Sequence, residues 1–210
     1  MANGELSQDE VDGVLENSCQ TDSIDFVFAE LHHPYKSELW TPGESDFTGS
    51  VVAKMEAFSE ACGKPSIHFF GHTHGYSRGQ SRDHKHLWIN VATAGGAIDY
   101  WGDWPQLDYD EFSVTEDDWG FVLVEVEAGD EPKFSVKRLS RGDGDVDLDN
   151  ALIDSFSVSK TDYIITTPTT IYPVDLQVTP ECVILRGSSF EIEEMHGASH
   201  WQVTETSGEY

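Results

Sequence analysis

The chain has few basic residues. Lys and Arg together number 12 among 210 residues, against 39 Asp and Glu, so the formal net charge at pH 7 is −27. Such a surface repels phosphate backbones and anionic lipid headgroups, which argues against nucleic acid and anionic membranes as partners. It is typical of a soluble protein in a salty or extracellular setting. We therefore expect an extracellular, cell-surface or periplasmic location.

Long apolar runs are also lacking, and cysteine is scarce. No segment approaches the ~18 apolar residues of a membrane-spanning helix, and the first four residues do not begin a signal peptide. We expect no transmembrane segment. The three cysteines, Cys19, Cys62 and Cys182, are widely spaced and form no C-x-x-C motif. The alternatives are buried free thiols, a bridge between Cys19 and Cys62, and a bridge from Cys182 to a residue beyond the C-terminus.

One short stretch carries most of the chemistry that the sequence does contain. The segment Ser66–His74 has the sequence SIHFFGHTH, in which a strand-like apolar run ends at Gly71 and is followed by His72 and His74. Gly71 lets the backbone turn sharply. Two imidazoles on such a turn can reach one metal ion, or one each of two adjacent ions. In the alternative interpretation, one histidine caps a turn and the other is solvated.

A second strand-like run ends in the same way. Ile24–Leu31 has the sequence IDFVFAEL and is followed by His32, His33 and a proline. The intervening residues Val51–Cys62 have apolar side chains at helical spacing. A strand–helix–strand unit brings the carboxyl ends of its two parallel strands to one edge of a sheet. We therefore predict that His32, His72 and His74 converge.

Both stretches resemble the last two metal motifs of calcineurin-like metallophosphoesterases. The matching segments are Phe28–Trp40 (FAELHHPYKSELW) and Phe70–Gly79 (FGHTHGYSRG), and the pair Gly95-Gly96 follows them. The pattern G-H-x-H-x-Y-x-R is most similar to the purple acid phosphatase branch. The resemblance covers roughly residues 5–158. It implies an α/β fold, specifically the C-terminal half of an αββα sandwich.

The resemblance also implies a two-metal site. By the family pattern, the H-x-P histidine His32 and the first G-H-x-H histidine His72 share one ion, while His74 binds the other. The ions would be zinc, iron or manganese, acting together to activate water against a phosphomonoester or phosphodiester. The implied activity is that of a metal-dependent hydrolase similar to an acid phosphatase.

Three further residues are candidates for binding the substrate. His33 occupies the variable position of H-x-P and would line the pocket. Tyr76 and Arg78 lie on the outgoing loop, where an arginine could hold a phosphate bidentately. A structural ion pair is the alternative for Arg78 in so acidic a protein.

The family's remaining motifs do not occur in the 31 residues that precede His32. These are D-x-H, G-D-x-x-D or G-D-x-x-Y, and G-N-H-[DE], which would supply the bridging aspartate, an asparagine ligand and the acid histidine. We therefore expect a missing N-terminal half of the same protein as partner, and a fragment that is inactive alone. The alternative is a non-catalytic extracellular binding or adhesion protein that keeps a relic metal site.

Composition divides the chain into three parts. The resemblance implies that residues 1–159 are the C-terminal half of a catalytic domain, and the sequence predicts in them a helix capped at Ser7 and a hairpin formed by Phe121–Glu127 and Phe134–Leu139. Residues 160–170 are threonine-rich and indicate a linker. Residues 171–210 have short alternating strands and indicate a truncated immunoglobulin-like or fibronectin-type β module.

Three further loops carry polar or aromatic residues. The H-x-H formed by His84 and His86 follows no strand, which favours a solvated loop. Residues 143–149 hold four alternating aspartates but no glutamate at the twelfth position of a calcium loop, which favours a solvated turn. The segment Asp99–Trp104 either walls the cleft or is a surface loop packed by its own tryptophans.

Overall fold

The computed structural model describes residues 7–160, 189–194 and 201–207. Its helices are α1 (Gln8–Gln20) and α2 (Asp46–Cys62), with one 3₁₀ turn at Thr41–Gly43. Its strands are β1 (Val27–Glu30), β2 (Ser66–Phe70), β3 (Tyr76–Gln80), β4 (His86–Val91), β5 (Phe112–Glu116), β6 (Trp119–Glu127), β7 (Lys133–Gly142), β8 (Asp147–Ser159), β9 (Ser189–Glu194) and β10 (Trp201–Ser207). No helix among these is long and apolar enough to cross a membrane.

Except for Lys160, the predicted linker lies outside the described residues, as does most of the predicted β module. Within that module the structure describes β9 and β10, which pair as an antiparallel hairpin. The division of the chain at residues 160–170 therefore stays a prediction.

Both predicted helices are present. The side chain of Ser7 accepts a hydrogen bond from the N–H of Glu10, and the Glu10 carboxylate accepts one from the N–H of Ser7, so α1 begins with a capping box. The apolar spacing predicted a helix from Val51 onward. Helix α2 begins five residues earlier, at Asp46, because its first turn has no regular apolar spacing. A disulfide between Cys19 and Cys62 joins the carboxyl ends of the two helices.

A five-stranded sheet has the order β1-β2-β4-β3-β5. Strand β2 is parallel to both β1 and β4, whereas β3 is antiparallel to β4 and β5. Together β1, α2 and β2 form the predicted strand–helix–strand unit. The helices cover one face of the sheet, where Leu15 of α1 and Met55 of α2 pack with Val27 and Ala29 of β1.

A three-stranded antiparallel sheet, with the order β6-β7-β8, covers the opposite face. The core between the two sheets contains Ile67, Tyr76, Leu87 and Ile89 from the larger sheet, and Phe134, Val136, Phe156 and Val158 from the smaller one. The hairpin of β6 and β7 was predicted. Strand β8 was not, because its first residues belong to the aspartate-rich segment that we interpreted as a solvated turn.

The described fold is therefore a layer of helices on two packed sheets. This is a mixed α/β architecture, and it agrees with the predicted fold class at that level.

Two histidines are buried between the larger sheet and α2. His68 Nδ1 lies 2.9 Å from His86 Nε2, and His86 Nδ1 lies 2.7 Å from the hydroxyl of Ser66. Both imidazoles are fully inaccessible to solvent. The expectation of a solvated loop is thus wrong for His86, because the chain re-enters the sheet at that residue and pairs with Ser66. His84 remains partly exposed, with its Nδ1 3.6 Å from Glu60.

This buried pair predicts a pH-dependent stability. Burial lowers the pKa of His68 from 6.5 to about 3, and burial together with the charge of His68 lowers the pKa of His86. The unfolded chain binds these protons below about pH 6.5, but the native protein does not. We therefore expect the free energy of unfolding to fall as pH drops below about 6.5, by up to about 1.4 kcal/mol per pH unit for each histidine.

Urea unfolding between about pH 7.5 and about pH 5 measures this effect. About 0.5 M salt should be present, because it screens repulsion among the carboxylates. The His84→Ala variant should show the same dependence of the unfolding free energy on pH, because the imidazole of His84 is partly exposed in the native protein. A flat profile across this range would show that the two imidazoles are not held neutral by burial.

Candidate metal centre

The turns that follow β1 and β2 lie side by side at one edge of the larger sheet. The N–H of Leu31 donates to the carbonyl of Phe69 (2.9 Å), and the N–H of Gly71 donates to the carbonyl of His32 (3.1 Å). The backbone of His72 is left-handed, with φ of 68°. This conformation costs a non-glycine residue about 1–3 kcal/mol, and such strained residues tend to cluster at functional sites.

Three imidazoles meet at this edge. His32 Nε2 lies 3.2 Å from His72 Nδ1. The ring centroids are 4.7 Å apart for His32 and His33, 5.1 Å for His32 and His72, and 4.2 Å for His33 and His72. One nitrogen from each ring lies within 4.8 Å of the others, and no other group of this kind occurs in the part of the chain that the structure describes. We call these three residues the histidine cluster.

The structure brings His32 and His72 together, as the strand–helix–strand pattern predicted, and adds His33 to them. His33 had been assigned to the pocket lining instead. Two adjacent histidines at the end of a strand were the available signal that both imidazoles could lie at the site.

His74 lies outside the histidine cluster. The backbone N–H of His74 donates to Asp99 Oδ2 at 2.8 Å, and its ring Nδ1 is 2.5 Å from the carbonyl oxygen of Ala97. Its ring packs against Gly96, where a Cβ would come within 3.1 Å. The assignment of His74 to a second ion stays a prediction. Asp99 was not a candidate from the sequence, although it follows the Gly95-Gly96 pair closely.

The electrostatic environment of His72 favours its neutral form. Partial burial lowers the pKa of His72, and positive charge on His33, His32 or His74 would lower it further, whereas Asp99 opposes this. A neutral imidazole has the free lone pair that a metal ion requires.

An aromatic wall, formed by Trp40 and Trp104, closes one side of the histidine cluster. The Trp40 ring lies 5.0 Å from the His72 ring and 6.1 Å from the Trp104 ring. The N–H of Thr41 donates to the carbonyl of Pro105 at 3.0 Å, which ties the two tryptophan-bearing loops together. The segment Asp99–Trp104 therefore borders the site.

Tyr76 and Arg78 do not reach this site, so their assignment to the substrate is wrong. Both side chains are buried between the two sheets, because positions 76 and 78 share one face of β3. Arg78 Nε donates to Asp154 Oδ2 at 2.6 Å, and the Tyr76 hydroxyl donates to the same oxygen at 2.7 Å. Burial and the neighbouring Asp154 raise the pKa of Tyr76. Arg78 thus forms the structural ion pair that was its alternative.

The histidine cluster fits one transition-metal ion better than two. Three imidazoles suit zinc and other borderline metals, and a catalytic centre with three protein ligands keeps a position open for water. The described cluster includes no carboxylate that could bridge a pair of ions.

Comparison with known proteins bears on the fold alone. No protein-family model and no curated protein matches the chain. A solved structure titled "Structure of PhoD" superposes with a TM-score of 0.51 at 8% sequence identity, over 78% of this chain and 35% of that chain. This likeness supports a metallophosphoesterase-like fold and does not extend to activity.

A second solved structure, "GAP50 the anchor in the inner membrane complex of Plasmodium", has a TM-score of 0.38 at 13% identity. It covers 80% of this chain and 44% of that chain, and at this score it supports no conclusion. In the first of these comparisons, the present chain spans about a third of the length of the PhoD chain.

Proposed function

We propose that this chain is part of a metal-dependent phosphoesterase that hydrolyses a phosphomonoester or phosphodiester. The observation that carries the proposal is the meeting of His32 and His72 at the end of adjacent parallel strands, with nitrogens 3.2 Å apart. These are the histidines of the H-x-P and G-H-x-H motifs. The fold likeness to PhoD is consistent with the proposal but carries no weight for activity.

The residues around the histidine cluster have defined roles in this proposal. Bound zinc, iron or manganese would polarise the phosphoryl group and lower the pKa of bound water towards ~7. His32 and His72 hold one ion, and His74 serves a second, with its backbone fixed by Asp99. Trp40 excludes water from one side of His72. Local positive charge is needed because a net charge of −27 repels phosphate at long range.

We propose that the carboxylate ligands come from a complementary N-terminal half outside these 210 residues. Strands β1 and β6 are edge strands of their sheets, and a cleft of about 520 Å³ lies between them. A second cavity of about 450 Å³ is lined by β1 and the two helices and reaches His32 and His33. Phe28, Phe47 and Phe121 are exposed along these openings. Open strand edges with exposed aromatic side chains are typical of a surface that packs against further protein.

An extracellular, cell-surface or periplasmic location is part of the proposal. The disulfide between Cys19 and Cys62 supports it, because disulfides persist in oxidising compartments. The strongly acidic composition is compatible with the same setting.

Hydrolysis of aryl phosphate monoesters and diesters, with zinc, manganese or iron added, tests the proposed function. We expect no turnover by the 210-residue chain alone, and metal-dependent turnover once an upstream half carrying the missing motifs is joined to it. A chelator should abolish that turnover. If the joined protein does not hydrolyse either ester, the phosphoesterase proposal is wrong and a non-catalytic binding protein becomes the better account.

A further inference from the structure

We propose that His33 is a metal ligand, and that His32, His33 and His72 bind a single transition-metal ion through three imidazoles. The family pattern assigns a ligand to the first histidine of H-x-P and leaves the next position variable. This inference rests on the proposed function, because it concerns the same centre. Ion binding can nevertheless be measured without catalysis.

The distances within the histidine cluster suit a tetrahedral ion. Nitrogens bound to zinc at ~2.0–2.1 Å in tetrahedral geometry lie ~3.3 Å from each other. His32 Nε2 and His72 Nδ1 are already 3.2 Å apart. The His33 ring lies closer to His72 than the His32 ring does, at 4.2 Å between centroids. His32 and His33 are exposed, so rotation of their side chains can bring the third nitrogen into place.

Three hydrogen bonds hold the backbone of the first turn, which follows β1 and carries His32 and His33. The carbonyl of His33 accepts a hydrogen bond from the hydroxyl of Thr48 at 2.9 Å, and the carbonyl of Pro34 accepts one from the N–H of Ser45 at 2.8 Å. These bonds fix the first turn to the start of α2. The carbonyl of His32 accepts from Gly71, which fixes the first turn to the second. Ligands on a fixed backbone lose little conformational entropy when the ion binds.

His74 contributes no nitrogen to the histidine cluster. Its Nδ1 contacts the carbonyl of Ala97, and its backbone N–H donates to Asp99. The three-histidine ion therefore needs neither His74 nor a bridging carboxylate. The 210-residue chain can hold it before any complementary half is added, and His74 stays available for a second ion.

Titration of Co²⁺ into the purified, chelator-treated chain tests the inference. The strength of the visible absorption bands of Co²⁺ separates four-coordinate from six-coordinate ions. We expect one tightly bound, four-coordinate Co²⁺ per chain. The His33→Ala variant should bind at least about 100-fold more weakly, as should His32→Ala and His72→Ala.

One variant serves as a control, and circular dichroism checks that every variant is folded. His84→Ala removes a partly exposed histidine next to Glu60 and should change nothing.

Unchanged Co²⁺ affinity in His33→Ala, with loss in His32→Ala and His72→Ala, would overturn the inference. A chain that binds no stoichiometric Co²⁺ would overturn it as well. Both results leave the phosphoesterase proposal standing, since that proposal fails only if the joined protein lacks metal-dependent turnover.

Discussion

The His72→Ala substitution is expected to lower kcat/KM for an aryl phosphate ester by about 10³-fold in the protein joined to its upstream half. A catalytic metal ion contributes several kcal/mol of transition-state stabilisation, and about 4 kcal/mol corresponds to about 10³-fold in rate. His72 is central because its ring contacts those of His32, His33 and Trp40. Its loss removes a ligand and also the ring against which Trp40 packs.

The left-handed backbone at His72 requires a matched variant. Alanine is strained at a φ of 68°, whereas asparagine tolerates that region, so His72→Asn separates loss of the imidazole from strain. Both variants should lose activity and metal content together, and His84→Ala should retain both. Full turnover by His72→Asn would show that this imidazole does not hold a catalytic ion.

The Asp154→Ala substitution is expected to lower the free energy of unfolding by about 3–5 kcal/mol, because it leaves a buried cation without its partner. Arg78 is 3% exposed and donates to Asp154 through Nε and a terminal nitrogen. The Tyr76 hydroxyl loses its acceptor in the same substitution. Denaturant unfolding followed by circular dichroism measures the change.

The same strand offers a matched control for Asp154. Asp149 pairs with Arg141 at 3.3 Å, but its side chain is 98% exposed, so Asp149→Ala should leave the unfolding midpoint almost unchanged. A double variant, Arg78→Met with Asp154→Leu, should recover most of the lost stability, since an apolar pair removes the uncompensated charge. Equal midpoints for Asp154→Ala and the wild-type protein would contradict the buried ion pair.

Local sequence was enough to predict the strand–helix–strand unit and its histidines. Apolar runs that end in glycine or histidine mark the ends of β1 and β2, and the helical spacing of Val51–Cys62 requires a crossover between them. Because both strands are parallel, their following residues had to meet at one edge. The convergence of His32 with His72 follows from that topology.

Residues whose partners are distant in sequence could not be assigned in this way. The partner of Arg78 is Asp154, 76 residues further along, on a strand whose acidic beginning resembles a turn. His86 lies next to a polar loop, and only its pairing with Ser66 of β2 explains its burial. His33 joins the histidine cluster because of the backbone conformation of the turn after β1, which no sequence motif specifies. Each of these depends on tertiary contacts, which local periodicity does not encode.

Anomalous X-ray scattering from crystals of the chain grown with Zn²⁺ tests most directly whether the turns after β1 and β2 form a metal centre. We predict one strong peak, ~2.0–2.1 Å from a nitrogen of each of His32, His33 and His72. A zinc ion held elsewhere in the chain, with the three rings uncoordinated, would contradict the account.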